Sequence, residues 1–456
     1  MKLPRIMLAA PASGSGKTLI TCGILKALVN RGYRTASFKC GPDYIDPMFH
    51  RHVIGTRSGN LDTFFTEPDI TRYLFGKAAG EAEISVVEGV MGYYDGLAGI
   101  STKASSADMA KTLKIPVVFI VNCRGLSISA VPLLKGFLEY ENPPHIQGVI
   151  LNQVSEGMYP DMKRLIEEQL PLKVLGYVPR VPDLALKSRH LGLVLPGEIA
   201  ELQKKLNDLA KLLENTLDID ALLAMAAAAP ELTYEAPQVP HLKEAGKISV
   251  AVAEDEAFCF TYRDNLELLK EMGAGLISFS PLSDRELPKG IQGLILSGGY
   301  PELHADALSK NTSMRTSIYQ AVTGGLPCIA ECGGFLYLHK TLEGADGNAY
   351  PMAGILNANA YRRDKLSRFG YVTLEALEDQ MLLKKGKEIR GHEFHYWESE
   401  SCGSSMRAKK PLRKRSWDCV HGNETLYAGF PHLFFYSNPS AAWNFLKKCE
   451  VTPCLR

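Results

Sequence analysis

The segment Ala10-Pro-Ala-Ser-Gly-Ser-Gly-Lys-Thr18 constrains the fold of this chain more than any other stretch. It follows an apolar run, Arg5–Ala10, and opens a run with apolar residues at Ile20, Ile24 and Leu28. The first run has strand character. The second has the period of a helix over Lys17–Asn30, stopped by Gly32. A strand that feeds a helix through small residues makes a phosphate-binding turn. The backbone N–H groups of Ser13, Gly14, Ser15 and Gly16 converge on phosphate oxygens, Lys17 adds a point charge, and the Thr18 hydroxyl suits Mg²⁺. The strict pattern has Gly where Pro11 stands. A chance Gly-rich turn is the bland alternative, and the position between strand and helix argues against it. No second Lys precedes Lys17 within the loop, unlike the dimeric partitioning ATPases that use one.

Such a loop belongs to a parallel sheet. Tyr33–Phe38, Ile84–Val87, Val117–Val121 and Val149–Leu151 read as further strands, and apolar strands separated by helices predict a doubly wound α/β domain. Residues 197–223 read as one amphipathic helix. Ala226–Lys247 then holds an alanine run and three prolines without strong periodicity, as an interdomain linker does. A second α/β pattern begins at Ile248-Ser-Val-Ala-Val-Ala. It continues through helical Tyr262–Met272 and strand-like Leu276–Phe279 and Gly293–Leu296. The expected division is a P-loop domain over 1–195, a helix and linker over 196–246, and a second α/β domain over 247–456.

The chain has 456 residues, enough for two or three domains. Its net charge of +1 gives no reason to expect a nucleic acid or a membrane as partner. The basic run Arg407–Arg415 reads as a solvated loop before an RNA site. Ten cysteines lack any CxxC or zinc-type spacing, which suits a reducing, cytoplasmic setting. No apolar stretch approaches the roughly 20 residues of a spanning helix.

A bound nucleoside triphosphate calls for a metal with oxygen ligands. Lys39-Cys-Gly-Pro-Asp43-Tyr-Ile-Asp46 lies beyond the second strand, and Glu88 ends the strand from Ile84. Ligands gather at strand C-termini in open α/β sheets. Asp43, Asp46 and Glu88 are therefore candidate Mg²⁺ ligands or their supports, with turn or capping roles as the alternative. Lys39 is placed to neutralise a transferring phosphate, and Asn152 to meet a purine edge.

The second domain carries Gly325-Leu-Pro-Cys-Ile-Ala-Glu-Cys-Gly-Gly334. A short strand ends at Cys332, and two glycines lead into a helix, as in a nucleophile elbow. Burial as a structural thiol is the alternative. The helix N-terminus is expected to favour thiolate. A thiol needs a base, and His432 follows a short strand about one hundred residues on. The strand before Gly298-Gly299 offers an oxyanion donor at Gly299, with the N–H of Gly333 as the second. His392 and His395, in Gly-His-Glu-Phe-His-Tyr, read as a polar strand facing substrate.

Taken together these motifs resemble the cobyrinate a,c-diamide synthase family, glutamine-dependent amide ligases of corrinoid synthesis, over nearly the whole length. The resemblance also covers Val-Glu-Gly-Val-Met-Gly-Tyr-Tyr-Asp-Gly, Arg189-His-Leu-Gly-Leu-Val194 and Gly-Gly-Tyr-Pro-Glu-Leu-His, and Pro11 is normal for that family. It implies a first domain similar to dethiobiotin synthetase and a second similar to class I glutamine amidotransferases. It implies ATP, Mg²⁺, L-glutamine and cobyrinate as ligands, with a homodimer as the candidate assembly. Cys332 would take the glutamine amide as a thioester, with His432 as base. Ammonia would then displace phosphate from an acyl phosphate made at the P-loop, at the a and c acetates. Tyr361–Arg368 and Arg407–Arg415 are basic segments suited to a polycarboxylate. Nickel-sirohydrochlorin or hydrogenobyrinate would fit the same motifs, and a P-loop switch with a binding module is the reading from another class. Two departures stand out: Phe434 occupies the position where many amidotransferases carry the acid of a triad, and His-Leu-Phe-Phe replaces His-Leu-His-Phe.

Overall fold

A computed structural model describes residues 1–142, 144–181, 196–244, 246–366 and 368–455, with the backbone alone at 196–200. The family segment Arg189–Val194 lies outside them. The chain forms two compact units, Met1–Pro237 and Gln238–Arg456.

The first unit is built on β1 (Arg5–Ala9), β2 (Thr35–Cys40), β3 (Arg57–Leu61), β4 (Ile84–Glu88), β5 (Val117–Asn122), β6 (Ile146–Asn152) and β7 (Lys173–Val178). They make one parallel sheet in the order β3-β2-β4-β1-β5-β6-β7. β1 and β5 are apolar runs buried on both faces, as a sheet covered by helices requires. β3 and β7 are absent from the sequence reading. β3 reads Arg-Ser-Gly-Asn-Leu and has no β-branched residue to mark it.

Helix α1 (Lys17–Asn30) starts where the sequence places it. The expected single helix over 197–223 is two, Pro196–Thr216 and Ile219–Ala227. The chain breaks because Leu217 bridges to Gly176 in β7, and the Asp218 N–H is bonded to the Leu175 carbonyl at 2.7 Å. The Asp218 side chain then caps the second helix at the Ala221 amide. Leu206, Leu209, Leu213, Leu222 and Ala226 share a buried core with Ile20, Ile24 and Leu28. These helices are therefore part of the first unit, and the chain leaves it beyond Pro237.

The second unit has β8 (Ser249–Ala253), β9 (Gly275–Phe279), β10 (Gly293–Leu296) and β11 (Cys328–Glu331). They pair in parallel with strand Leu426–Gly429, in the order Leu426–Gly429, β11, β10, β8, β9. Strand His421–Gly422 pairs antiparallel at the edge. A five-stranded antiparallel sheet contains Arg368–Ala376, Glu388–His395 and His432–Leu433. Among the described residues, no helix is long and apolar enough to cross a membrane.

Candidate functional site

In the first unit, β1 delivers the loop to α1, and Gly16 stands at the helix N-cap with φ 96°. A side chain there would be strained, and its Cβ would lie 2.3 Å from Asn152 Nδ2. Asn152 donates that amide to the Ser15 carbonyl at 2.9 Å, so it is anchored under the loop. Lys17 Nζ bonds the carbonyls of Ala12 (3.2 Å) and Met91 (2.5 Å), which holds its ammonium at the loop. Burial, then the nearby Lys39 charge, lower its pKa.

Beyond the loop, the Thr18 hydroxyl donates to Glu88 Oε1 at 2.7 Å. Lys39 Nζ lies 2.6 Å from Glu88 Oε1 and 2.6 Å from Asp46 Oδ2. Burial works against the Lys39 ammonium, but Glu88, Asp46 and Asp43 outweigh it and hold the charge firmly in place. Two of the three expected metal carboxylates, Asp46 and Glu88, are thus bridged by Lys39. Asp43 Oδ1 closes a turn at the Ile45 amide, 2.8 Å away. Among the described residues no cluster of three His, Cys, Asp or Glu stands ready for a metal. The oxygen set is nonetheless of the hard kind Mg²⁺ takes, and Glu88 Oε2 is buried with no hydrogen-bond partner among the described residues. His50, missed in the sequence, lies 3.9 Å from that oxygen and 3.7 Å from Cys22 Sγ. Burial pushes its pKa down to about 4, so the ring is neutral at physiological pH.

In the second unit β11 ends at Glu331, and Cys332 takes φ 47° and ψ −101° before the short helix Gly333–Tyr337. That region is sparsely populated for a residue with a Cβ, and such strain collects at functional turns. The Cys332 N–H is held by the Gly429 carbonyl at 2.8 Å. The surroundings of the thiol work against the expected thiolate. Burial raises the Cys332 pKa, and Glu302, Glu393 and Glu331 add to it, while the Gly333 amide alone pulls the other way.

Gly298 is the hub of the site. A Cβ on it would lie 2.3 Å from His432 Cε1, and a Cβ on Gly333 would lie 3.3 Å from the Gly298 carbonyl carbon and 2.9 Å from the Gly299 nitrogen. The two expected N–H donors and the expected base are therefore brought together beside Cys332. His432 is buried, and burial with His395 nearby pushes its pKa down to about 3. It is a neutral imidazole at physiological pH. Phe434 packs on Tyr262 at 5.2 Å and is core.

Another carboxylate lies near His432. Glu331 Oε1 accepts from the Leu433 amide at 3.0 Å, and Oε2 lies 3.8 Å from His432 Nδ1. One signal was available: Glu331 is a charged residue ending an otherwise apolar strand. His395 stacks on Phe430 at 3.7 Å and lies 3.8 Å from Glu393.

The two basic segments converge. Arg368 and Arg415 lie 5.3 and 5.4 Å from the Trp417 ring, with Lys410 at 6.0 Å. Beside them stand exposed Phe369, Phe394 and Tyr396.

A P-loop unit with a strained-cysteine α/β unit defines a glutamine amidotransferase joined to a nucleotide-binding domain. Family models agree: residues 6–194 match the CobQ/CobB/MinD/ParA nucleotide binding domain, and 249–439 the CobB/CobQ-like glutamine amidotransferase domain. The chain is 41% identical to a cobyrinate a,c-diamide synthase of Caldanaerobacter subterraneus, covering 97% of this chain and 98% of that one. It is 40% identical to one of Listeria monocytogenes (95% and 97% covered) and 38% identical to one of Clostridium acetobutylicum (95% and 97%). The chain belongs to the cobyrinate a,c-diamide synthase family.

Proposed function

We propose that this chain converts the a and c acetate carboxylates of cobyrinate to amides, using ATP at the P-loop and ammonia released from glutamine at Cys332. The observation that carries the reading is the positive-φ Cys332 beside the Gly298-Gly299 pair, in a chain that also bears a phosphate loop.

At the second unit, the Cys332 thiol passes its proton to His432 as sulfur attacks the glutamine carboxamide carbon. The tetrahedral oxyanion is met by the amides of Gly299 and Gly333. His432 returns the proton to the departing nitrogen, and ammonia leaves a thioester that water cleaves to glutamate. At the first unit, an acceptor carboxylate oxygen attacks the γ-phosphorus of ATP, and the bond to the bridging oxygen breaks to release ADP. Lys17 and the amides of residues 13–16 hold the phosphates. Lys39 neutralises the transferring group, and the work is positioning and charge neutralisation. Thr18, Glu88, Asp46 and Asp43 would hold Mg²⁺, which supplies charge neutralisation at the phosphate oxygens. Asn152 fixes the loop from below and leaves its carbonyl for the base. Ammonia then displaces phosphate from the acyl phosphate. The basic, aromatic face around Trp417 suits the polycarboxylate acceptor. Charge reversal at Arg362, over the Trp397 ring at 5.8 Å, and at Arg363, whose amide donates to the Tyr396 carbonyl at 2.9 Å, should raise the KM for the corrinoid.

The test is incubation with glutamine, ATP and each tetrapyrrole, followed by mass counting of added amides. Two amides on cobyrinate support the reading. Two on nickel-sirohydrochlorin or hydrogenobyrinate, and none on cobyrinate, overturn the substrate.

A further inference from the structure

A histidine that acts as a base needs a partner to hold its ring and bear part of its charge, and Phe434 leaves the familiar position for that partner without an acid. We propose that Glu331, the residue immediately before the nucleophile, is the positioning residue for His432. The inference rests on the glutaminase reading of Cys332 given above.

The argument begins with the strand register. β11 pairs in parallel with Leu426–Gly429, with Glu331 opposite Gly429. The chain beyond Gly429 therefore passes the end of β11, and His432 comes within reach of the last side chain on that strand. Glu331 grips this passage at two points. Its Oε1 takes the Leu433 amide at 3.0 Å, which fixes the carboxyl group and the backbone carrying His432 in one contact. Its Oε2 is left facing His432 Nδ1 at 3.8 Å, an ion-pair distance. From the other side Asn265 takes the Leu433 carbonyl at 2.7 Å and the Phe435 amide at 2.8 Å. The backbone under His432 is thus clamped from two elements, while the ring lies against Gly298.

The chemistry follows. With Nδ1–H turned to Glu331, Nε2 is the ring nitrogen that receives the thiol proton. Where Glu331 is ionised, the imidazolium then formed has an opposite charge on its far side, in a pocket where neither ion is stable alone: burial holds the His432 pKa low and the Glu331 pKa high. Glu331 donates and accepts no proton in the reaction. Catalytic contacts are often loose in resting enzymes and tighten with substrate, which suits the 3.8 Å separation. The other titratable groups around the pair are Cys332, Glu302, Glu393, His392, His395 and Tyr427.

The test compares Glu331→Gln, Glu331→Asp and the unsubstituted full chain, with three readouts. Glutaminase activity is measured without acceptor. ATP-dependent amidation is measured with ammonium chloride. Alkylation of Cys332 by iodoacetamide is followed across pH. Gln keeps an oxygen for the Leu433 amide but carries no charge. The expected result for Glu331→Gln is a loss of about 10²–10³ in glutaminase kcat/KM, unchanged ammonia-driven turnover, and a displaced alkylation midpoint. Glu331→Asp should recover part of the loss. Glutaminase within twofold of the unsubstituted enzyme, or an alkylation midpoint that does not move, overturns the proposal. So does equal loss of the ammonia-driven reaction, which marks Glu331 as scaffold. Absence of glutaminase in the unsubstituted chain would instead strike the reading of Cys332 itself.

Discussion

At the scale of single residues, the two sites differ in how they handle charge. Around the P-loop, charge is buried and compensated: Lys39 is bracketed by Asp46 and Glu88 at 2.6 Å each. Lys39→Met removes the shared cation and strands both carboxylates. It should cost about 3–5 kcal/mol in urea unfolding, as broken buried pairs do, and abolish amidation with either nitrogen source. Retained stability would show that the pair is not compensated through Lys39. Around Cys332, proton carriers are buried and kept neutral. Gly298→Ala places a methyl 2.3 Å from the His432 ring. Glutaminase should fall at least about tenfold, while ammonia-driven amidation holds. The cysteine, the histidine, the glycines and the phosphate loop were legible because each sits in a local pattern of turn and strand end. Glu331 was not singled out, because its role depends on a strand register joining residues a hundred positions apart. The burial that works against a Cys332 thiolate was out of reach for a similar reason: burial is a tertiary property.

At the scale of elements, the P-loop helix is held by a helix that the sequence assigns to a linker region. Gly23 of α1 faces Leu209 and Leu213 so closely that a Cβ would lie 2.4 Å from Leu213 Cδ1. Gly23→Val should wedge the two helices apart and cost about 1–3 kcal/mol, read as a lowered urea midpoint. Leu209→Ala should cost about 2–5 kcal/mol by leaving a cavity in the same core. Little effect from either would show that Pro196–Thr216 is peripheral to the first unit. Helical periodicity identified this element but ran through its break at Leu217, since the contact with β7 that interrupts it is long-range. β3 escaped for want of apolar residues, and it forms because it completes the sheet edge beside β2.

For the whole molecule, stability should vary with pH in two opposed directions. Burial raises Glu331 to about 8 and Glu302 to about 7. Their contribution is fully present below the usual carboxylate range and is lost as pH rises through 7 to 8. Buried His432 and His392 are held at about 3. Their contribution is present above about pH 6.5, the usual histidine value, and is lost as pH falls toward 3. The thermal midpoint of the full chain should therefore decline on both sides of a mildly acidic optimum. Glu331→Gln should flatten the decline between about pH 6 and 8; an unchanged slope there would remove Glu331 from this account.

The central claim is a division of labour: the second unit supplies ammonia and the first activates the carboxylate. Cys332→Ala tests it most directly, assayed for amide formation with glutamine and, separately, with ammonium chloride. Loss of the glutamine-driven reaction by about 10³ or more, with the ammonia-driven reaction intact, is the predicted result. Loss of both, or of neither, would contradict it.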